Sequence, residues 1–342
     1  MNLQNDLANL LNIPYWMSST NIIHNIVGII IYIIVISIAF SIFGYMVGWL
    51  ERKLIARAQY RHGPTYVGMW GLLQNMADLI KLLSKEDVIP ENADRMLFAA
   101  SLPLLLALSI FIVLLLPYSP GLQAANLGFG LLIVFTIISF MPLLLFTAAF
   151  SSGNKFADIS AQRSVLILLS YELPILLVVV SVAALSGSYN LAGIVASQSS
   201  SHYFALLLPI GLVVFFIAML AEFERPPFDL READSELIAG WLTDVSAPYY
   251  ALALFLDYAR MFLGSIIISI LFFGGWLGPS ILPPFAWIII KALIISVFII
   301  IVRATTFRMR IDRVLRFGWV WLIPLSLLNL IITYIVIIPF VK

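Results

Sequence analysis

The chain has 342 residues, of which 62% are hydrophobic and 11% charged, with a formal net charge of +1. That balance excludes a soluble globular domain and predicts an all-α polytopic membrane protein, one membrane domain over 1–342. With no cysteine the chain forms no disulfide and holds no iron–sulfur cluster through thiolates, and its histidines, at 24, 62 and 202, lack metal-ligand spacing.

Residues 1–25 are polar and mixed. Pro14-Tyr15-Trp16 suits a membrane interface, and the stretch lacks the basic start and short apolar core of a cleavable signal. Apolar segments follow at about 26–50, 95–116, 128–150, 163–186, 203–222, 248–274, 285–303 and 317–340. Each is long enough to cross ~30 Å of hydrocarbon as a helix, so about eight transmembrane helices are expected. After the first span, Met69, Leu72, Leu73, Met76, Ile80 and Leu83 recur at helical spacing, with Gln74, Asp78, Lys81 and Lys85 on the other face. Too short and too polar to span, this stretch predicts an amphipathic surface helix over 69–84, bounded by Pro64, Gly68 and Pro90. There is no nucleotide-binding glycine loop and no internal repeat, and no nucleic-acid partner is expected.

Lys and Arg set the orientation. The connectors 51–95, 151–163, 223–247 and 303–316 hold sixteen of the nineteen, whereas 117–127, 187–202, 275–284 and the N-terminal segment hold none. The positive-inside rule places the charged connectors in the cytoplasm and both termini outside.

One connector, 221–247, is also strongly acidic. Glu222, Glu224, Asp229, Glu232, Asp234, Glu236 and Asp244 fall in it against only Arg225 and Arg231. Such charge beside a bilayer costs solvation energy unless water, cations or transferable protons share the site. Read blandly, it is a solvated connector; Pro226-Pro227-Phe228 and the ending Ala239-Gly240 favour packed backbone instead. Phe223, Phe228, Leu230 and Phe307 are apolar residues in charged loops, which predicts surfaces that only partner subunits cover.

Within the spans Glu172, Asp257, Arg260 and Lys291 each need an explanation. Pro174 follows Glu172 and can open a kink beside it. Asp257 and Arg260 share a helical face on which they can pair. Such groups either tie helices together or form a polar track with perturbed proton affinity.

The stretch Ala221-Glu222…Arg225…Pro227-Phe228-Asp229-Leu230…Glu232-Ala233…Ser235-Glu236-Leu237…Ala239-Gly240 resembles the signature of the H subunit, also called subunit 1, of respiratory complex I. Glu51-Arg52-Lys53, Gln59…Arg61…Gly63-Pro64, Gly71-Leu72…Gln74…Ala77-Asp78…Lys81-Leu82, Ser170-Tyr171-Glu172, Lys291, Arg303-Ala304-Thr305 and Arg310…Asp312…Phe317-Gly318-Trp319 fit it too. Departures are Asp244 and Asp257 where Glu is usual, Arg260 where a neutral residue is usual, Pro226 for Ala, and Arg231 for Pro.

The resemblance implies a core membrane subunit of a proton-pumping NADH-quinone oxidoreductase of a prokaryotic inner membrane. It would have no catalysis alone, and iron–sulfur clusters would be held only by peripheral partner subunits. It implies a quinone chamber lined by Glu51, Arg52, Arg61, Asp78, Arg225, Phe228 and Asp229. It implies a proton track through Glu172, Glu222, Glu232, Asp234, Glu236, Asp257, Arg260 and Lys291, with Arg303, Arg308, Arg310 and Asp312 facing the peripheral subunits. Related subunits of membrane-bound hydrogenases without a quinone site are the main alternative; a free-standing transporter or a structural anchor explains less.

Overall fold

The computed structural model describes residues 22–120, 122–200, 202–231 and 234–341; Pro14-Tyr15-Trp16 and Glu232 lie outside them. Among the described residues there are helices and no strand, apart from one isolated bridge between Ser119 and Leu122. The helices are α1 (Ile22–Ala58), α2 (Gln74–Leu83), α3 (Arg95–Leu115), α4 (Gly130–Phe150), α5 (Lys155–Ser186) and α6 (Leu191–Ser200). They continue with α7 (Pro209–Glu222), α8 (Ala247–Phe272), α9 (Pro284–Thr305) and α10 (Ile311–Ile337).

Seven of these, α1, α3, α4, α5, α8, α9 and α10, have the length and apolarity to cross a membrane. The eighth expected span, 203–222, is broken. A short helix, Phe204–Leu207, precedes Leu208 at φ −121°, ψ 58°, and α7 starts at Pro209. Pro209 has no N–H and its ring disfavours helical backbone in the residue before it. The 14 residues of α7 reach ~21 Å, short of a ~30 Å core.

Sequence-local chemistry sets the other ends. The Asp94 carboxylate accepts from Met96 N and Leu97 N to start α3, and Asn154 Oδ1 accepts from Phe156 N to start α5. Gly187, at φ 70°, ends α5.

Around α8 the rest assembles: α1, α2, α3 and α9 pack on it directly, while α7 and α10 pack on α5 and on each other. From Ala259 to Phe272 every α8 residue is buried, the pattern of a helix apolar all round. Its close approach to the end of α7 requires Gly264, against which the Phe223 ring lies so tightly that a Cβ would collide with it. Outward faces are apolar: Ile30, Ile34 and Ile38 of α1 and Trp319, Trp321 and Ile335 of α10 are half or more exposed.

α5 has 32 residues, ~48 Å, so one end stands clear of the hydrocarbon. That end carries the acidic connector: Ser160 Oγ donates to the Arg231 carbonyl at 2.8 Å and Arg163 pairs with Glu236 at 2.6 Å. α2 lies against α1 and α8 with Gln74, Asn75 and Asp78 half-buried, while Met76, Ile80 and Leu83 are more than half exposed.

Candidate functional site

From Phe223 to Arg231 the acidic connector is packed rather than solvated. Phe223, Phe228 and Leu230 are at most 5% exposed within this chain, so it covers them itself, contrary to expectation, and of the four only Phe307, 79% exposed, is left open. The reason is Gly240, in left-handed backbone at φ 57°, where any Cβ would strike the Arg231 carbonyl. This close turn folds the connector back on α5 and drives its charges inward.

Glu51, Glu222, Glu224, Arg225, Arg231 and Arg260 are each at most 7% exposed. Buried charges persist only when paired, and here long-range contacts do the pairing. Arg231 meets Glu224 at 2.5 Å and Asp257 at 3.4 Å, and its guanidinium lies 4.6 Å from the Trp241 ring centre. Glu224 itself sits at φ 51°, a strained conformation for a residue with a Cβ. Glu51, at the end of α1, takes Arg225 at 3.2 Å and also Arg303 of α9.

The expected Asp257–Arg260 pair is replaced by a different pattern. Arg260 points past its own helix to donate to the Glu222 carbonyl at 3.1 Å, over the Phe223 ring. A helix end leaves such carbonyls without partners, and the α7 end is adjacent to this turn of α8. Asp257 turns instead to Arg231. The Glu222 carboxylate is 3% exposed, its Oε1 takes no hydrogen bond among the described residues, and the charges of Arg260, Glu224 and Glu172 act on it.

Two cavities meet here. The inner one, about 90 Å³, is polar and lined by Glu224, Arg225, Asp229, Arg231, Asp257 and Arg303 among others. It has room for several waters, each needing ~10–15 Å³. Arg225 belongs to its wall, and its buried Nη2 has no hydrogen-bond partner among the described residues. The outer cavity, about 50 Å³, opens between α1, α2 and α8 beside Arg52, Asn75 and Asp78. Leu254 and Tyr258 of α8 belong to both walls, and the Arg225 guanidinium lies 5.4 Å from the Tyr258 ring centre.

Asp78 accepts from Arg52 at 2.5 Å and from Gln74 at 3.0 Å. Partial burial alone would raise the Asp78 carboxyl. The hydrogen bonds from Arg52 and Gln74 and the charges of Arg52 and Lys81 outweigh it and hold the carboxyl below the usual range.

Other expected residues lie apart. Arg61 is exposed at the end of α1 and bonds Gln59. Phe228 packs edge-on to Tyr171 in the core, away from the polar cavity. Asp229, by contrast, stands on the wall of the polar cavity and pairs with Arg308 at 3.3 Å, while Glu236 pairs with Arg163. Glu172 is half-buried on α5, within electrostatic reach of Glu222. Asp234 starts a short helix, Asp234–Leu237. Lys291 lies twelve residues from Arg303 on α9, ~18 Å from the cluster, and donates to the carbonyls of Phe273, Gly275 and Leu277 at 2.6–2.9 Å. Arg303, also on the wall of the polar cavity, pairs with Glu51 while its side chain stays 35% exposed.

Sequence reasoning missed Arg231 and Tyr258 as site residues. For Arg231 a signal existed, because it stands where the motif has Pro; for Tyr258, apart from its place next to Asp257, there was none.

The sequence matches the family described as NADH dehydrogenase over residues 29–334. It is 43% identical over 286 residues to the H subunit of NADH-quinone oxidoreductase from Dehalococcoides mccartyi (strain CBDB1), covering 83% of this chain and 80% of that one. It is 38% identical over 288 residues to the H subunit of NADH-quinone oxidoreductase from Carboxydothermus hydrogenoformans, covering 83% and 82%. It is also 38% identical over 300 residues to the H subunit of F(420)H(2) dehydrogenase from Methanosarcina mazei, covering 82% and 85%.

Proposed function

The chain belongs to the NADH dehydrogenase family, the membrane-embedded H subunits of complex I and its archaeal relatives, and from that premise we propose that its paired cavities form a quinone chamber. As a member it is a membrane subunit of an oxidoreductase complex. One observation carries the chamber reading. Arg225, whose buried Nη2 has no hydrogen-bond partner among the described residues, lines the polar cavity, which shares Leu254 and Tyr258 with the cavity that opens between α1, α2 and α8.

A lipid-soluble carrier enters beside α2, passes Tyr258, and presents a carbonyl oxygen to Arg225. Guanidinium donors are fixed in direction and remain charged, which suits them to hold that oxygen as electron density builds on it. Electrons come from iron–sulfur clusters in peripheral partner subunits, since this chain has no thiolate to hold one. The product takes up two protons, and the removal of negative charge from the cavity is what the acids below it sense.

Glu222, buried and lightly bonded, with Glu172 behind it and Asp257 at the cavity wall, starts the proton track. Glu224 and Arg231 set the field between them. The charged connectors face the cytoplasm of a prokaryotic inner membrane, with both termini outside, and the other membrane and peripheral subunits cover what this chain leaves open.

Leu254→Trp tests the chamber, because the larger side chain fills space belonging to both cavities. In the assembled complex it is expected to reduce quinone-linked turnover while donor oxidation with ferricyanide continues. Unchanged quinone kinetics in an assembled variant would place the chamber elsewhere.

A further inference from the structure

A third cavity is larger than the other two and plays no part in the proposed chemistry. It is a groove of about 640 Å³ between α7 and α9, floored by α8, and its wall presents no polar surface. Val213, Phe216, Ile268, Ile294, Phe298 and Phe317 line it. Its α7 wall runs from Leu212 to Leu220.

One end of the groove is basic. Arg308, Arg310, Arg313 and Arg316 follow one another there with Asp312 among them. Asp229 takes Arg308 and Asp312 takes Arg310, whereas among the described residues neither Arg313 nor Arg316 forms an ion pair. Arg313 lies four residues before the groove-lining Phe317 in one helical run, and therefore on its face. Arg310, Arg313 and Arg316 are all exposed.

We propose that this groove is a binding site for one anionic phospholipid, with an acyl chain between α7 and α9 and the phosphate on Arg310 and Arg313. The volume lies within the ~300–1,000 Å³ of sites for single small molecules. A transmembrane helix of ~10 Å diameter needs about 1,500 Å³ over ~20 Å, so it would rest on this groove rather than fill it. An apolar slot ending beside Arg313, which forms no ion pair among the described residues, and Arg310, which Asp312 only partly compensates, matches a molecule with a long hydrocarbon body and one negative end. Basic pockets between transmembrane helices recognise anionic headgroups in this way. The lipid would cover the α7 face from Leu212 to Leu220 and support the backbone in which Met309 N donates to the Pro227 carbonyl at 3.2 Å.

The test uses the assembled complex in nanodiscs of phosphatidylcholine containing a minor fraction of phosphatidylglycerol, re-extracted and weighed by native mass spectrometry. Phosphatidylglycerol is expected to be retained several-fold above its share of the bilayer. Arg310→Gln with Arg313→Gln should remove that enrichment and leave some phosphatidylcholine bound. Ile294→Trp, which fills the groove from a side already exposed, should abolish retention of both. Retention at the bilayer ratio in the unaltered complex, or enrichment that survives both variants, overturns the proposal. So does cross-linking of Ile294→Cys, the sole cysteine of the chain, to a neighbouring subunit, because the groove would then be a protein interface.

Discussion

Glu51→Gln tests the buried ionic hub with a change of almost no volume. The Glu51 side chain is 2% exposed and meets two cations, Arg225 at 3.2 Å and Arg303. At 3.2 Å and an effective dielectric near 20, the attraction to Arg225 alone is about 5 kcal/mol. Neutralising Glu51 forfeits that and leaves the Arg225 guanidinium, 9% exposed, without a counter-charge. Arg303 suffers less, since its side chain is 35% exposed and water can replace the carboxylate. Breaking a buried pair from one side costs ~3–5 kcal/mol, so the variant complex should melt at a clearly lower temperature and accumulate to a lower level. What assembles should show a raised KM for quinone, because Arg225 no longer has a fixed direction. Adding Arg225→Met removes the orphaned cation and should restore assembly, while the quinone defect persists. A Glu51→Gln complex with normal melting and normal quinone KM would refute the reasoning, because Glu51 would then not be the group that holds both arginines.

Three further outcomes follow from the same geometry. Glu172→Gln should leave assembly intact and lower the proton-to-electron ratio measured in proteoliposomes, since it removes the acid nearest to Glu222 on α5; a normal ratio would make Glu172 passive. Gly240→Ala places a Cβ against the Arg231 carbonyl in left-handed backbone, which itself costs ~1–2 kcal/mol. It should reduce the amount of assembled complex far more than Gly187→Ala, where left-handed backbone meets open space. Asp78 concerns pH. Its carboxyl is held below the usual range when folded, so its contribution is fully present above the unfolded pKa of about 4 and fades as pH falls through the lower folded value. Amide exchange across 74–83, corrected for its intrinsic pH dependence, should therefore show constant protection from neutral pH down to about 4 and loss below it. Asp78→Asn should abolish that step, and an unchanged profile would contradict the pairing with Arg52.

What was legible in the sequence was whatever depends on near neighbours. Runs of apolar residues mark α1, α3, α4, α5, α8, α9 and α10 because a bilayer-crossing helix needs only its own composition. The break inside 203–222 was signalled by Pro209, but hydropathy averages over a single proline. Distant partners were not legible. An i, i+3 rule pairs Asp257 with Arg260, yet the fold offers Asp257 an arginine 26 positions earlier, and offers Arg260 the carbonyl end of α7. Glu51, Arg225 and Arg303 come from three separate segments, and no spacing connects them. Arg231, a departure from the family motif, is the residue that ties the acidic connector to α8. Lys291 stood out as a charge inside a span, but nothing in its spacing showed that it would donate to the carbonyls of Phe273, Gly275 and Leu277.

The most direct measurement is to illuminate the assembled complex with a photoreactive quinone analogue and map the labelled peptides. Labelling should fall on α8 between Ala251 and Tyr258 and on the Phe223–Asp229 segment, the walls of the two cavities, and excess native quinone should suppress it. Labelling confined to other subunits, or to α8 and α9 residues of the apolar groove, would contradict a quinone chamber at this site.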